Sequence, residues 1–166
     1  MENQDVSDNR KRIIVIGGGF AGLNFVRRLF KNKYYKVTLV DKNNYNYFTP
    51  LLYQVATSFL EPAAISYPFR KMFRNKDISF RMAELLRVDI STQTIYLNDG
   101  VLQYDHLIFA AGTKTNFFGN EGIRQRAISL KGIDDALYMR NQLMKVMEKA
   151  VIEKDPARRK KLLTIV

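Results

Sequence analysis

Residues 12–41, RIIVIGGGFAGLNFVRRLFKNKYYKVTLVD, decide the fold. Ile13-Ile14-Val15-Ile16 is a β-branched run cut off by glycines, the form of a buried parallel strand. Apolar residues then recur at helical spacing through Phe20, Leu23, Val26, Leu29 and Phe30, and Arg27, Arg28 and Lys31 gather at the end where cations favour the helix dipole. Lys36–Val40 is a second β-rich run, so strand, helix and strand follow within the length of a right-handed βαβ crossover. At the first junction Gly17, Gly19 and Gly22 form G-x-G-x-x-G, with Gly18 as an extra glycine. Gly17 suits a tight turn, Gly19 a close backbone approach to a pyrophosphate, and Gly22 the packing of helix on strand. Asp41 closes the second strand 19 residues after Gly22, a spacing at which a carboxylate reaches a ribose hydroxyl. The unit is therefore expected to hold a dinucleotide on the helix N-terminus, with Gly17, Gly19, Phe20, Ala21, Gly22, Asp41 and Lys42 as candidate contacts.

Working outward, residues 1–11 are expected to be a disordered leader. Residues 43–77 are aromatic and broken by Pro50, Pro62 and Pro68, which predicts short helices and an ordered functional loop. Ile78–Ala83, Leu85–Ile90, Thr94–Asn98 and Val101–Tyr104 are short strand-like runs with a turn signal at Asn98-Asp99-Gly100, together predicting a small antiparallel meander. Leu107–Ala110 is predicted to be another buried parallel strand. A long helix is expected from Asp134, as N-cap, to about Lys154, with Leu137, Leu143, Met144, Met147 and Val151 on its apolar side and Pro156 as its stop. The closing RRKKLLTIV repeats the pattern that opens the first unit, a basic cluster before a β-branched run, so Leu162–Val166 is expected to begin a second nucleotide-binding unit. The fold class is α/β, a Rossmann-like domain with a parallel sheet, crossover helices and an inserted antiparallel meander. Its expected boundaries are 12–155, followed by a linker and first strand over 156–166.

Composition narrows the function. A chain of 166 residues that is 46% hydrophobic can bury one real core. It has no cysteine, hence no disulfide framework, thiolate metal site or catalytic thiol within these residues. No apolar run approaches the roughly 20 residues of a membrane-spanning helix. The net charge of +11 favours anionic surfaces, but the basic residues lie in small scattered groups (10–12, 70–74, 158–161) without interleaved aromatics, so no nucleic-acid partner is expected. A solvated basic surface is the plain reading, and a face toward acidic lipid the next. The lone histidine, His106, has no carboxylate or nucleophile paired with it in sequence and is assigned no chemistry.

A glycine pattern alone does not separate FAD from NAD. A meander placed before a strand that ends in Phe109-Ala110-Ala111-Gly112-Thr113 resembles the two-dinucleotide flavoprotein reductases, in which the turn matching Ala111 and Gly112 approaches FAD. The most selective stretch is DKNNYNYFTPLLYQVAT, residues 41–57. Together with GGGFAGL (17–23) and AAGTKTNFFG (110–119), it resembles the type II NADH dehydrogenases, the non-proton-pumping NADH:quinone oxidoreductases. The resemblance implies an FAD enzyme that takes hydride from NADH and passes electrons to a quinone, held peripherally at the cytoplasmic face of the cell membrane. It further implies that Pro50, Leu51, Tyr53, Gln54 and Thr57 lie along the isoalloxazine and ribityl chain. An apolar wall with polar groups at the ring edge is what a flavin site needs. Loop packing is the plain alternative for Tyr53 and Gln54. No catalytic acid, base or metal is expected from these residues; the NADH site is expected outside them, and a homodimer stays open. Disulfide reductases are disfavoured by the missing cysteines. Sulfide:quinone or ferredoxin-reductase-like flavoproteins, and a non-catalytic FAD module, remain as alternatives, and the 166 residues alone are not expected to turn over.

Overall fold

The computed structural model describes residues 9–165. Their contacts gather into two compact units, one formed by residues up to Asn46 with Tyr67–Thr113, the other by Tyr47–Ser66 with residues from Lys114 onward.

In the first unit, β1 (Lys11–Ile16) is flanked by β2 (Tyr35–Asp41) and by β9 (His106–Phe109), both parallel to it. The sheet is completed by β5 (Ile78–Met82), in the order β5-β2-β1-β9. Because successive strand residues face opposite ways, β1 feeds two cores. Ile13 and Val15 meet Leu23 and Val26 of α1 (Phe20–Arg28), Val37 and Leu39 of β2, and Phe69 and Phe73 at α4 (Phe69–Met72). Ile14 and Ile16 meet Val40, Ala83, Ile95, Leu97 and Tyr104 on the other face. That second face is covered by a meander of β6 (Leu85–Asp89), β7 (Thr94–Leu97) and β8 (Gly100–Gln103), antiparallel throughout.

Two strand expectations are corrected here. Ile78–Met82 is not a meander strand: it pairs parallel with β2 from Val37↔Ile78 to Asp41↔Met82, so the meander has three strands. A five-residue apolar run carries no signal of strand direction, and only the return of the chain through residues 42–77 sets it. The strand ending at Phe109 is parallel as expected but not buried. Among the described residues it is the last strand on its side of the sheet, with Leu107 and Ile108 half-buried and Phe109 67% exposed.

Short strands β3 (Tyr45–Tyr47) and β4 (Ser66–Pro68) form a ribbon where the chain leaves and re-enters the first unit. The second unit is helical. A 3-10 turn at Thr49–Leu51 runs into α2 (Leu52–Ala56), followed by α3 (Pro62–Ile65), α5 (Glu121–Arg126), α6 (Ile133–Ile152) and α7 (Pro156–Leu162). α2 packs on α6 and α7 packs on α6. The N-cap of α6 is Gly132 rather than Asp134, and Asp135 accepts from the N–H groups of Lys131 (2.8 Å) and Gly132 (3.1 Å), as a residue in the first turn does when it reaches back. The expected apolar side of α6 is only partly its buried side. Leu137 and Leu143 are half-buried and Met144, Met147 and Val151 are exposed, while Ile133, Ala136 and Ala150 are buried.

Near the C-terminal end, the basic cluster RRKK, expected to be part of a linker, is helical. Asp155 accepts from the Ala157 N–H (2.8 Å) with Pro156 at the first helical position, and this pair of start signals makes residues 156–162 a helix. Residues 163–165 pair with no strand, and Val166 lies outside the described residues. So do residues 1–8 of the expected leader, whose last residue, Lys11, already belongs to β1.

The starts of β1 and β9 are clasped. Arg12 N–H donates to Asp105 Oδ2 (2.6 Å), the Arg12 guanidinium reaches the same oxygen (3.3 Å), and Asp105 N–H returns a bond to Arg12 O (2.9 Å). The backbone N–H of Arg12, followed by its side chain and charge, holds the Asp105 carboxyl below its ordinary value of 3.8. A carboxylate depressed on folding stabilises the protein above its unfolded pKa and loses that contribution as pH falls through the folded value. Asp105→Asn should therefore lower the melting temperature at pH 7, with the gap to the parent chain closing below about pH 4; a gap unchanged with pH would mean that the charge is not the stabilising element.

Candidate functional site

The glycine turn sits at the carboxyl end of β1, and each glycine there meets a different constraint. Gly17 has φ +99°, and a Cβ at this residue would stand 2.3 Å from Ala110 O, at the turn that follows β9. Gly22 lies in the first turns of α1, where a Cβ would fall 1.9 Å from Gly17 O and 3.3 Å from a Val15 methyl. Gly18 carries the buried Phe69 ring against it, 2.2 Å from where its Cβ would be. Gly19 is unlike the other three. It is the N-cap of α1, its backbone is extended (φ −73°, ψ −165°), and no atom lies within 4 Å of the Cβ position. No partner for its N–H occurs among the described residues. A close-packed loop thus leaves open the one position where the backbone can approach an anion, which is the cradle that a pyrophosphate needs.

Asp41 lies beside this turn. Its Oδ2 accepts from the Gly18 N–H (2.6 Å) and its Oδ1 from the Asn43 N–H (2.8 Å). The carboxylate therefore braces the loop from the end of β2, with lone pairs to spare for a hydroxyl donor. The second glycine turn is adjacent. Ala110 N–H donates to Ile16 O (2.8 Å), the would-be Cβ of Gly17 is 3.1 Å from Ala111 Cα, and Gly112 (φ +72°) has open space about it. Gly17, Gly19, Gly22, Asp41, Ala111 and Gly112 are thus gathered at one end of one sheet. Phe20, Ala21 and Lys42 flank them, all exposed.

The remaining candidates belong to the helical unit. α2 buries Leu52, Val55 and Ala56 and leaves Pro50, Tyr53, Gln54 and Thr57 on the other side, at spacings of three, one and three residues, so that four of the five candidates share a helical face. Leu51 is half-buried at its margin. Gln54 Nε2 donates to the Tyr53 hydroxyl (3.0 Å), and Thr57 Oγ1 donates to Tyr53 O (2.9 Å). This face is polar groups held on an apolar backing.

Two contributors were missed from sequence, Phe69, which seats Gly18, and Asn46, whose Nδ2 donates to Gly18 O (2.8 Å). Neither carries a local signal, since both reach the turn from distant sequence. Among the described residues no group of three or more His, Cys, Asp or Glu could hold a metal, and no helix is long and apolar enough to cross a membrane.

The sequence profile of the pyridine nucleotide-disulphide oxidoreductases matches residues 11–158. Two type II NADH:quinone oxidoreductases of Mycobacterium tuberculosis (strain ATCC 25618 / H37Rv) are similar, Ndh at 36% identity over 93% of this chain and NdhA at 38% over 95%. The match covers 34% of each of them, so the chain spans about a third of the length of these relatives. In structure it is similar to NDH2 from Plasmodium falciparum in complex with NADH, with a TM-score of 0.81 at 30% identity, over 92% of this chain and 32% of that one. It is also similar to the sulfide:quinone oxidoreductase of Aquifex aeolicus, with a TM-score of 0.75 at 27% identity, over 83% of this chain and 32% of that one.

Gly22→Ala should destabilise the fold by at least about 1–3 kcal/mol, because the clash is with backbone that cannot swing aside. Urea unfolding measures this, and a change under about 0.5 kcal/mol would show that α1 is not seated on Gly17.

Proposed function

The chain belongs to the pyridine nucleotide-disulphide oxidoreductase family, and from that premise we propose that it is the FAD-binding part of an NADH:quinone oxidoreductase of the type II kind. The observation that carries the reading is the open Gly19 position in an otherwise close-packed turn, with Asp41 beside it. Similarity over nearly the whole chain to the two mycobacterial enzymes supports the choice of reaction. The domain proposed for FAD is 12–155, and NADH would bind to sequence that the longer relatives carry beyond the matched third.

FAD, when bound, supplies a ring that accepts a hydride and releases electrons to a second acceptor. The chain's own residues supply position and electrostatics. The Gly19 N–H and the N-terminus of α1 would hold the pyrophosphate, the helix dipole favouring its charge. Asp41 would accept from the adenosine ribose while keeping its bond to Gly18. Ala111 and Gly112 would let backbone approach the cofactor. Pro50 and Leu51 would wall the flavin, and Tyr53, Gln54 and Thr57 would give it hydrogen-bonding groups along one edge. None of these roles needs the chain to donate or remove a proton, which agrees with hydride transfer governed by placement.

Quinone is the proposed electron acceptor and the cytoplasmic face of the membrane the proposed location, with attachment through elements outside these residues. A sulfide:quinone reaction is the second reading, supported by the likeness to the Aquifex aeolicus enzyme at 27% identity, against 36–38% for the mycobacterial enzymes.

The purified chain should bind FAD and turn yellow, with flavin fluorescence quenched on binding. Gly19→Val is the informative variant. No atom lies within 4 Å of the Cβ position, so the melting temperature should shift mainly by the loss of a good N-cap, while FAD affinity should fall at least tenfold. Equal affinity in both chains would remove the pyrophosphate from this turn. The same chain supplied with FAD, NADH and a soluble quinone should show no steady NADH oxidation; sustained turnover would contradict the proposed division of labour.

A further inference from the structure

Resting on the FAD reading, we propose that Asn46 is a positioning residue that aims the Gly19 N–H at the cofactor's pyrophosphate. The argument begins with the peptide unit. The carbonyl of Gly18 and the N–H of Gly19 belong to one planar trans peptide, so they point in opposite directions and fixing one fixes the other. Asn46 Nδ2 donates to Gly18 O at 2.8 Å. The Gly19 N–H therefore faces away from Asn46, and it is the N–H for which the described residues offer no partner.

The neighbouring peptide unit is held independently, since the Gly18 N–H is bound by Asp41 at 2.6 Å. Two side chains, one at the end of β2 and one in β3, thus fix two successive peptide planes of the turn. Such fixing is needed because the Gly18–Gly19 unit has glycine on both sides, and no Cβ opposes its rotation. A flipped unit would present a carbonyl oxygen to the phosphate in place of a donor, turning an attraction into a repulsion. Phe69 closes the Gly18 side of the turn by packing, but a ring has no means of choosing between the two peptide orientations. Asn46 has that means in the orientation it holds, because the amide nitrogen that faces the turn is a donor and bonds only to the carbonyl end. It is half-buried, and its hydrogen bond spans 28 residues of sequence.

The test separates pyrophosphate binding from general damage. Asn46→Leu keeps the approximate shape of the side chain and removes the donor, and Asn46→His restores an N–H at similar reach. Binding of FAD, ADP and adenosine to the full chain is measured by titration. The Leu variant should lose about tenfold or more toward FAD and ADP and nothing toward adenosine, and the His variant should recover most of the loss. A Leu variant that holds ADP as tightly as the parent, or loses ADP and adenosine in equal proportion, overturns the proposal. Should the Leu variant fail to fold, the parent chain alone decides. One Asn46 side-chain amide proton should then exchange more slowly than those of exposed asparagines in the same spectrum, and free exchange overturns the proposal. A parent chain that binds neither FAD nor ADP would overturn the FAD reading instead, and the exchange measurement would still judge the contact to Gly18.

Discussion

The close approach of three backbone segments around Gly17 is the constraint on which the rest of the first unit depends. Gly22 comes down on Gly17 O, and Gly17 comes against Ala110 O, each at a distance that admits no Cβ. The first contact sets how near α1 lies to β1, so that Leu23 and Val26 reach Ile13 and Val15. The second sets β9 beside β1 at its carboxyl end, where Ala110 N–H bonds to Ile16 O. Packing of this closeness leaves space beside the first turn of α1 only outward, at Gly19. The anion cradle is therefore what remains of the turn once the packing has been satisfied.

Around that turn the chain uses β1 as a shared wall. Its alternate side chains face α1 and α4 on one side and the meander on the other, and four residues, Ile13 to Ile16, are buried on both. Burying each such side chain contributes on the order of 1.5–3 kcal/mol. β9 has no such role, being among the described residues the last strand on its side, with exposed Phe109, although its sequence is as apolar as that of β1. The helical unit has its own logic. α2 turns Leu52, Val55 and Ala56 inward, which obliges Pro50, Tyr53, Gln54 and Thr57 to the opposite face. Tyr47 anchors the start of this segment through its hydroxyl, which donates to Lys131 O at 2.9 Å next to the N-cap of α6.

Legibility in sequence followed the range of the interaction. The βαβ unit could be read because strand period, helix period, glycine spacing and terminal acid are all local patterns in one stretch of 30 residues. The 50–57 segment could be read as a set of candidates from its resemblance to a family, and the spacing of its exposed residues accounts for four of the five lying on one face. Near the end of the chain the basic cluster is helical, where a linker was expected, because Asp155 and Pro156 supply a local start signal for residues 156–162.

What the sequence by itself determined is the α/β class, the glycine turn at the end of β1 and the acid at the end of β2, because periodicity and backbone freedom are properties of neighbouring residues. Tertiary structure alone decided the rest. It made Ile78–Met82 a fourth parallel strand, since direction depends on the path of residues 42–77 and not on the strand's composition. Among the described residues it left β9 as the last strand on its side, since burial depends on what lies alongside. It brought Asn46 and Phe69 onto Gly18 from 28 and 51 positions away. A hydrogen bond between a side chain and a distant carbonyl leaves no periodic trace in sequence, because it needs only one residue in the right place after folding.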